Sequence, residues 1–257
     1  MTKLKVYINC GPCAEFVGKC ITSVREQSYP DWEAWVTVDA CGDDTYTHAA
    51  RAARGDARFH LRRNQTRKYS MHNLVHAIQR SRPEPEDVIV CLDGDDWFSD
   101  RNALCIVAET YEKFNCWVTY GSWRSNVPRL TGGYDGLWPA YPEGTTDFRH
   151  HRFLGTAVRT WKKWLWDCLK DEDLRSDSGE YVRVSEDQMI MIPLLEMCGT
   201  QKARHIAAPI MTYNKVPQYA QDESLNREGL RNGELIERRT PYMRLLAKPA
   251  PADAAAD

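Results

Sequence analysis

Five apolar residues, Val88 to Leu92, run into Asp93, Gly94, Asp95 and Asp96, and no other stretch restricts the fold as tightly. A continuous run rich in β-branched side chains reads as a buried strand, and its abrupt end delivers three carboxylates to a sheet edge. Carboxylates crowded together repel, so the cluster implies a compensating cation, most simply Mg²⁺ or Mn²⁺ with a phosphorylated ligand. Gly94 lets the backbone turn where a substrate must approach closely. The plainer reading is an acidic turn that caps the next helix, with Ser99 or Asp100 as N-cap before Ala103.

The chain ahead of this stretch alternates between two periods. Val6 to Asn9 reads as a strand, and Phe16, Val17, Cys20, Ile21 and Val24 then fall at helical spacing. A second strand spans Ala34 to Val38, a short helix runs to about Arg54, and Arg58 to Leu61 forms a third strand. A helix around Met71 to Ile78 stops at Arg82-Pro83. This alternation predicts an α/β fold, one Rossmann-like, mostly parallel sheet with helices on both faces. Ligands of such sheets bind beyond the carboxyl ends of the strands, where strand order switches. Asn9, Asp39 and Asp93 to Asp96 all fall at expected strand ends, which describes a site for a nucleotide and its metal.

Further on, a helix is expected over Ala103 to Phe114 and a strand over Trp117 to Gly121. Residues 122–151 are rich in Gly, Pro, Trp and Tyr without a sustained period, too long for a simple connector. Helix is expected again over Ala157 to Leu169. Ser185 is the expected N-cap of an apolar helix that carries Glu186 and Asp187 in its first turn and that Gly199 stops. A strand pair over Ile206 to Asn214 and a final amphipathic helix over Glu234 to Leu246 complete the reading, with residues 247–257 as a disordered tail.

Lys+Arg 34 against Asp+Glu 36 leaves a net charge of -2, which argues neither for nor against nucleic acid or membrane. Nine cysteines, an odd number scattered over expected strands and helices, suit a reducing compartment, with the cytoplasm as default. With no apolar leader at the start and no run of about 18 apolar residues, no membrane insertion is expected. One region is distinctly basic: Arg51, Arg54, Arg58, Arg62, Arg63, Arg67 and Lys68.

Three pieces together resemble family 2 glycosyltransferases of the GT-A fold. Val38 to Thr45 stands where that family has a strand ending in an aspartate-rich nucleotide motif, Leu92 to Trp97 is close to its aspartate motif, and Glu186-Asp187-Gln188 resembles its later acidic pair. Ala40 replaces the second aspartate of the nucleotide motif, and Cys10 to Cys13 replaces the usual polar turn. The resemblance spans about Lys5 to Asn214 and implies a single GT-A catalytic domain over residues 1–246. Within it, 1–121 is the nucleotide-sugar half, 122–214 the acceptor half with its long loop, and 215–246 a C-terminal helical extension.

The resemblance implies roles. Asp187 is the general base, with Glu186 as alternative; Asp95 and Asp96 hold Mn²⁺ or Mg²⁺; Asn9, Asp39, Asp93 and Arg67 bind the nucleotide. Asp39 would accept from the imide N–H of uracil or thymine, and Arg62, Arg63, Arg67 or Lys68 would grip a diphosphate or an anionic acceptor. Blander readings stand beside these: an Asx turn for Asp39, a helix-stabilising role for Glu186 and Asp187, and a solvated face for the basic run. Cys10 and Cys13 read as buried or half-buried thiols more readily than as a metal or redox pair, and His72 and His76 as surface or packing residues more readily than as metal ligands. His150 and His151, and the aromatics Trp123, Tyr134, Trp138 and Tyr141, either line an acceptor cleft or are plain loop and core.

The function expected is inverting transfer of a sugar from a nucleoside-diphosphate sugar, favouring a UDP-sugar, to an acceptor hydroxyl. A glycan is the first expectation for the acceptor, with a modified DNA base or a protein as others. The alternatives are a metal-dependent sugar-nucleotide nucleotidyltransferase, for which the turn from Asn9 to Ala14 lacks a Gly-rich basic phosphate loop, and a catalytically silent nucleotide-sugar-binding module.

Overall fold

The computed structural model describes residues 1–127, 138–215 and 223–250. In chain order it builds β1 (Leu4–Cys10), α1 (Val17–Arg25), β2 (Trp32–Val38), α2 (Thr45–Ala53), β3 (Phe59–Arg63), α3 (Tyr69–Ser81) and β4 (Val88–Asp93). There follow β5 (Trp97–Phe98), α4 (Ala103–Phe114), β6 (Val118–Ser125), β7 (Arg159–Lys162), α5 (Lys163–Trp166), α6 (Glu186–Lys202), β8 (Ala203–Tyr213) and α7 (Glu223–Arg238). The strands form one sheet in the order β3-β2-β1-β4-β7-β6-β8-β5. The first four are mutually parallel, β7 enters antiparallel between β4 and β6, and β6 and β8 are again parallel.

Burial alternates along the central strands. Leu4, Val6 and Ile8 of β1 and Val88, Val90 and Leu92 of β4 enter one hydrophobic layer, shared with α1, α2 and α4. Tyr7, Ile89 and Cys91 enter the other, which α3, α5 and α6 cover. Strands apolar on both faces are what a helix-sandwiched sheet requires. The same period of two carries Asp93, two residues beyond Cys91, onto the α3 and α6 side.

Three expectations are corrected. Residues Ala157 to Leu169 are not one helix: Arg159–Lys162 is strand and only Lys163–Trp166 is helical. The segment pairs on both edges, and its fully buried Thr160 hydroxyl bonds the Tyr111 hydroxyl at 2.8 Å and the Thr119 hydroxyl at 2.6 Å, contacts no local period reveals. The last helix is Glu223–Arg238 rather than Glu234 to Leu246, because Thr240-Pro241 blocks helix at that point. The expected strand pair over Ile206 to Asn214 is one strand, with Pro209 tolerated where its register to β6 shifts.

Gly199 does break helical geometry, at φ +56 inside α6, and a Cβ there would collide with the Arg244 guanidinium. Of the expected tail, residues 247–250 carry no regular structure and 251–257 lie outside the described residues. No helix among the described residues is long and apolar enough to cross a membrane.

Candidate active site

The cleft lies where β1 and β4 end and α3 and α6 begin. A narrow cavity lies between Asn9, Asp93, Arg159, Glu186 and Asp187, and a wider one, of about 270 Å³, shares Asn9, Asp93 and Glu186 with it and adds Asp39, Arg67 and Asp95. Seven of the eight expected site residues therefore line one continuous region.

Asp96 does not line it. It is 2% exposed, its Oδ1 accepts the Asn214 backbone N–H at 2.8 Å, and burial followed by the charges of Asp93 and Asp95 holds its carboxyl well above the usual range. Asp95 is pushed up to about 6, by burial first and then by Asp93. Gly94 has a structural reason as well: a Cβ there would lie 2.5 Å from the Cys10 Sγ, so its bareness serves the close approach of the β1 end. Cys10 and Cys13 are buried free thiols.

The opposing wall is the start of α6. Two acidic residues in a first helical turn meet the positive end of the helix dipole, which favours them there. Glu186 is pushed up to about 7 by burial and then by Asp187 and Asp93. Ser185 occupies the N-cap position but makes no side-chain cap bond; it is left-handed, at φ +62. What holds this corner is α7: Glu228 accepts the Arg183 backbone N–H at 2.9 Å and its Nε at 2.6 Å, and Asn232 Nδ2 donates to the Val184 carbonyl at 2.9 Å.

Between the two walls stands Arg159, which sequence reasoning placed in a helix and gave no role. Its guanidinium lies 3.4 Å from Asp93 and 3.9 Å from Asp187. Burial opposes its charge, but Asp93, Asp187 and Glu186 outweigh that and raise it above its ordinary value. A charged residue between the buried Val158 and Thr160 is the local signal.

Asp39 is 5% exposed and tied inward: its carboxylate accepts the backbone N–H groups of Lys68 at 2.9 Å and Tyr69 at 2.8 Å and the Asn64 Nδ2 at 3.0 Å. Asn64 also donates to Asn73 at 2.7 Å. Asp39 thus shapes the loop before α3. Asn9 Nδ2 reaches Ser70 only at 3.4 Å, and its Oδ1 is buried without a partner. Arg67 lies 4.7 Å over the Tyr69 ring. His72 and His76 lie with ring centroids 4.1 Å apart and planes tilted by 50°, and no group of three or more His, Cys, Asp or Glu among the described residues is arranged to hold a metal by itself. His150 pairs with Asp147 on the exposed loop, and Trp123 and Tyr141 are buried among other aromatics. Tyr134 lies outside the described residues.

A mostly parallel sheet with acidic residues at a strand end, faced by an acidic helix start, is the architecture of GT-A glycosyltransferases. The model for "Glycosyl transferase family 2" matches residues 6–164, and the chain belongs to that family. A comparison with curated protein sequences found no match. Among solved structures, S. aureus TarS 1-349 in complex with UDP-GlcNAc is similar at a TM-score of 0.64 and 14% identity, covering 88% of this chain and 61% of that one. The longer TarS chain gives a TM-score of 0.63 and 14% identity over 84% of this chain and 37% of that one. The mannosyltransferase PcManGT from Pyrobaculum calidifontis, in complex with GDP-Man and Mn²⁺, gives 0.58 and 13% identity over 93% and 66%. The chain thus spans 61% and 37% of these two TarS chains, and at these identities the likeness is one of fold.

Proposed function

We propose that the protein is an inverting glycosyltransferase that takes a sugar from a nucleoside-diphosphate sugar, a UDP-sugar first, and transfers it to an acceptor hydroxyl. The observation that carries this is the meeting of Asp93, Asp95, Glu186 and Asp187 on one cleft, with the nucleotide-side residues Asn9, Asp39 and Arg67 along its wider part. TarS bound to UDP-GlcNAc and PcManGT bound to GDP-Man support a nucleotide-sugar donor.

Asp187 is the base. Its side chain is one-third exposed, so it can both meet an acceptor and take its proton. A single carboxylate removing that proton suits direct displacement from the face opposite the diphosphate, hence inversion. Arg159, 3.4 Å from Asp93 and 3.9 Å from Asp187, offsets the negative charge gathered between the two walls.

The cleft chemistry fits a hard divalent cation: Asp93 and Asp95 offer oxygen donors, and Asp95, half-buried beside a like charge, has no ion pair of its own among the described residues. Two carboxylates completed by a ligand's phosphates are the usual holding of Mg²⁺ or Mn²⁺. When bound, such an ion neutralises the charge that develops on the leaving diphosphate. Asp95 is kept from the expected metal pair, and Asp93 takes the place of the buried Asp96.

The test is calorimetric binding of UDP and a panel of nucleotide sugars, with and without Mn²⁺, to the native chain and to Asp95→Asn. Metal-dependent binding that Asp95→Asn abolishes is expected. Binding indifferent to both metal and mutation overturns the reading.

A further inference from the structure

His72, His76 and Arg80 follow at i, i+4 and i+8 on α3 and so form one stripe, about 12 Å long. Strand β3, at the sheet edge beside β2, sends alternate side chains to the side of the sheet that α3 covers. His60 sits beside Trp35 in register and stacks on it at 4.3 Å, and Trp35 packs against the layer that α3 covers. Arg62, two residues on, shares that face by strand alternation. Its charge reaches the stripe: after burial, Arg62 holds Arg80 below its ordinary value, and burial with Arg80, Arg62 and Lys68 does the same to His76.

Carboxylates near this strip are engaged elsewhere. Asp39 faces His72 but is bonded to the loop before α3, Asp171 near His76 is bonded to Arg175 and Tyr181, and Glu33 pairs with Lys3, Lys5 and His60. Among the described residues, no ion pair includes Arg62, Lys68, Arg80, His72 or His76. Like charges gathered this way carry an electrostatic cost that a bound anion removes.

The strip also leads to the cleft. Tyr69 and Ser70, at the start of α3, line it, and the Tyr181 ring that meets His72 at 5.9 Å and His76 at 6.3 Å lies two residues before Arg183, another lining residue. A single phosphate would engage one or two of these groups. The length of the stripe calls for a chain of them.

We propose that Arg62, Lys68 and Arg80, with the two imidazoles as hydrogen-bonding partners, form the acceptor track of the transferase and bind a phosphodiester-linked polymer. This rests on the glycosyltransferase reading, and the experiment separates the two. Fluorescence binding is measured with a ten-nucleotide thymidine oligomer, an abasic oligomer of the same length, polyglutamate and dextran. The proteins are the native chain and the double variant Arg62→Ser, Arg80→Ser, with UDP binding measured on both.

Both phosphodiester probes are expected to bind. Three neutralised phosphates give a slope of log affinity against log salt near about -2, or roughly fifteenfold weaker binding from 50 to 200 mM salt. The double variant should lower the slope by about 1.4 and leave UDP binding unchanged, since neither arginine lines the donor cleft. Equal binding of the two oligomers assigns recognition to the backbone; binding of the thymidine oligomer alone makes the phosphodiester a nucleic acid. Polyglutamate binding as tightly, no binding of either oligomer at 50 mM salt, or binding indifferent to the double variant overturns the track. Loss of UDP binding in the native chain would instead sink the donor reading and leave this measurement standing.

Discussion

Arg159 stands 3.4 Å from Asp93, at the mouth of a strand that its own strand pairs with in antiparallel register, and its Nε is buried without a partner. The same guanidinium lies 3.9 Å from Asp187. One buried cation therefore sits between the donor-side carboxylate and the proposed base, and neither wall is electrostatically independent of the other.

Replacing that cation should cost more than a surface pair would. Arg159→Gln leaves Asp93, Glu186 and Asp187 uncompensated, and a loss of about 3 kcal/mol in stability is expected by urea denaturation, with a smaller loss for Arg159→Lys. Added Mn²⁺ should recover part of it. Equal stability of Arg159→Gln and native protein would remove Arg159 from this role.

Asp187→Asn should lower kcat by about 10²- to 10⁴-fold while leaving donor binding within about twofold, because the base acts on the acceptor. Glu186 is half-buried and its carboxyl is already pushed up to about 7, so Glu186→Gln resembles a form it adopts near neutrality and should lose less than about tenfold. Steady-state kinetics with any active acceptor decides; the reverse ranking would make Glu186 the base.

Asn232 is 2% exposed and ties α7 to Val184, two residues before Glu186. Asn232→Ala should cost about 1 kcal/mol in stability and lower kcat by about tenfold without changing donor affinity. A variant that loses stability but keeps kcat would leave α7 as scaffolding alone.

Acid stability should carry the mark of Glu33. Burial alone would raise its carboxyl, but bonds to Lys3 and Lys5 outweigh this and lower it from 4.5 to about 2. A depressed folded value stabilises fully above the unfolded value and is lost as pH falls, here between about 4.5 and 2. Glu33→Gln should therefore lower thermal stability at pH 7 by about 1 kcal/mol, the screened value for a pair partly in water, and converge with the native protein near pH 2.

Much of the donor wall was legible locally. The apolar run into Asp93, the helix at Ala103 and the acidic opening of α6 each rest on a period or turn chemistry contained within about a dozen residues. Asp96 shows where this stops. Its neighbours in sequence do not distinguish it from Asp95, yet the passing of β8 places the Asn214 N–H on its carboxylate and leaves only Asp95 on the cleft.

By itself, then, the sequence determined the alternation of strand and helix, the sheet edge that gathers the carboxylates, and the family. Tertiary structure decided that Arg159–Lys162 is a strand, that Arg159 joins the two walls, and that α7 anchors the corner before Glu186. The reason is physical. Strand state in a four-residue segment comes from the hydrogen bonds of β4 and β6 on either side, and the partners of a buried charge are set by packing between elements distant in the chain, to which no local pattern of side chains is sensitive.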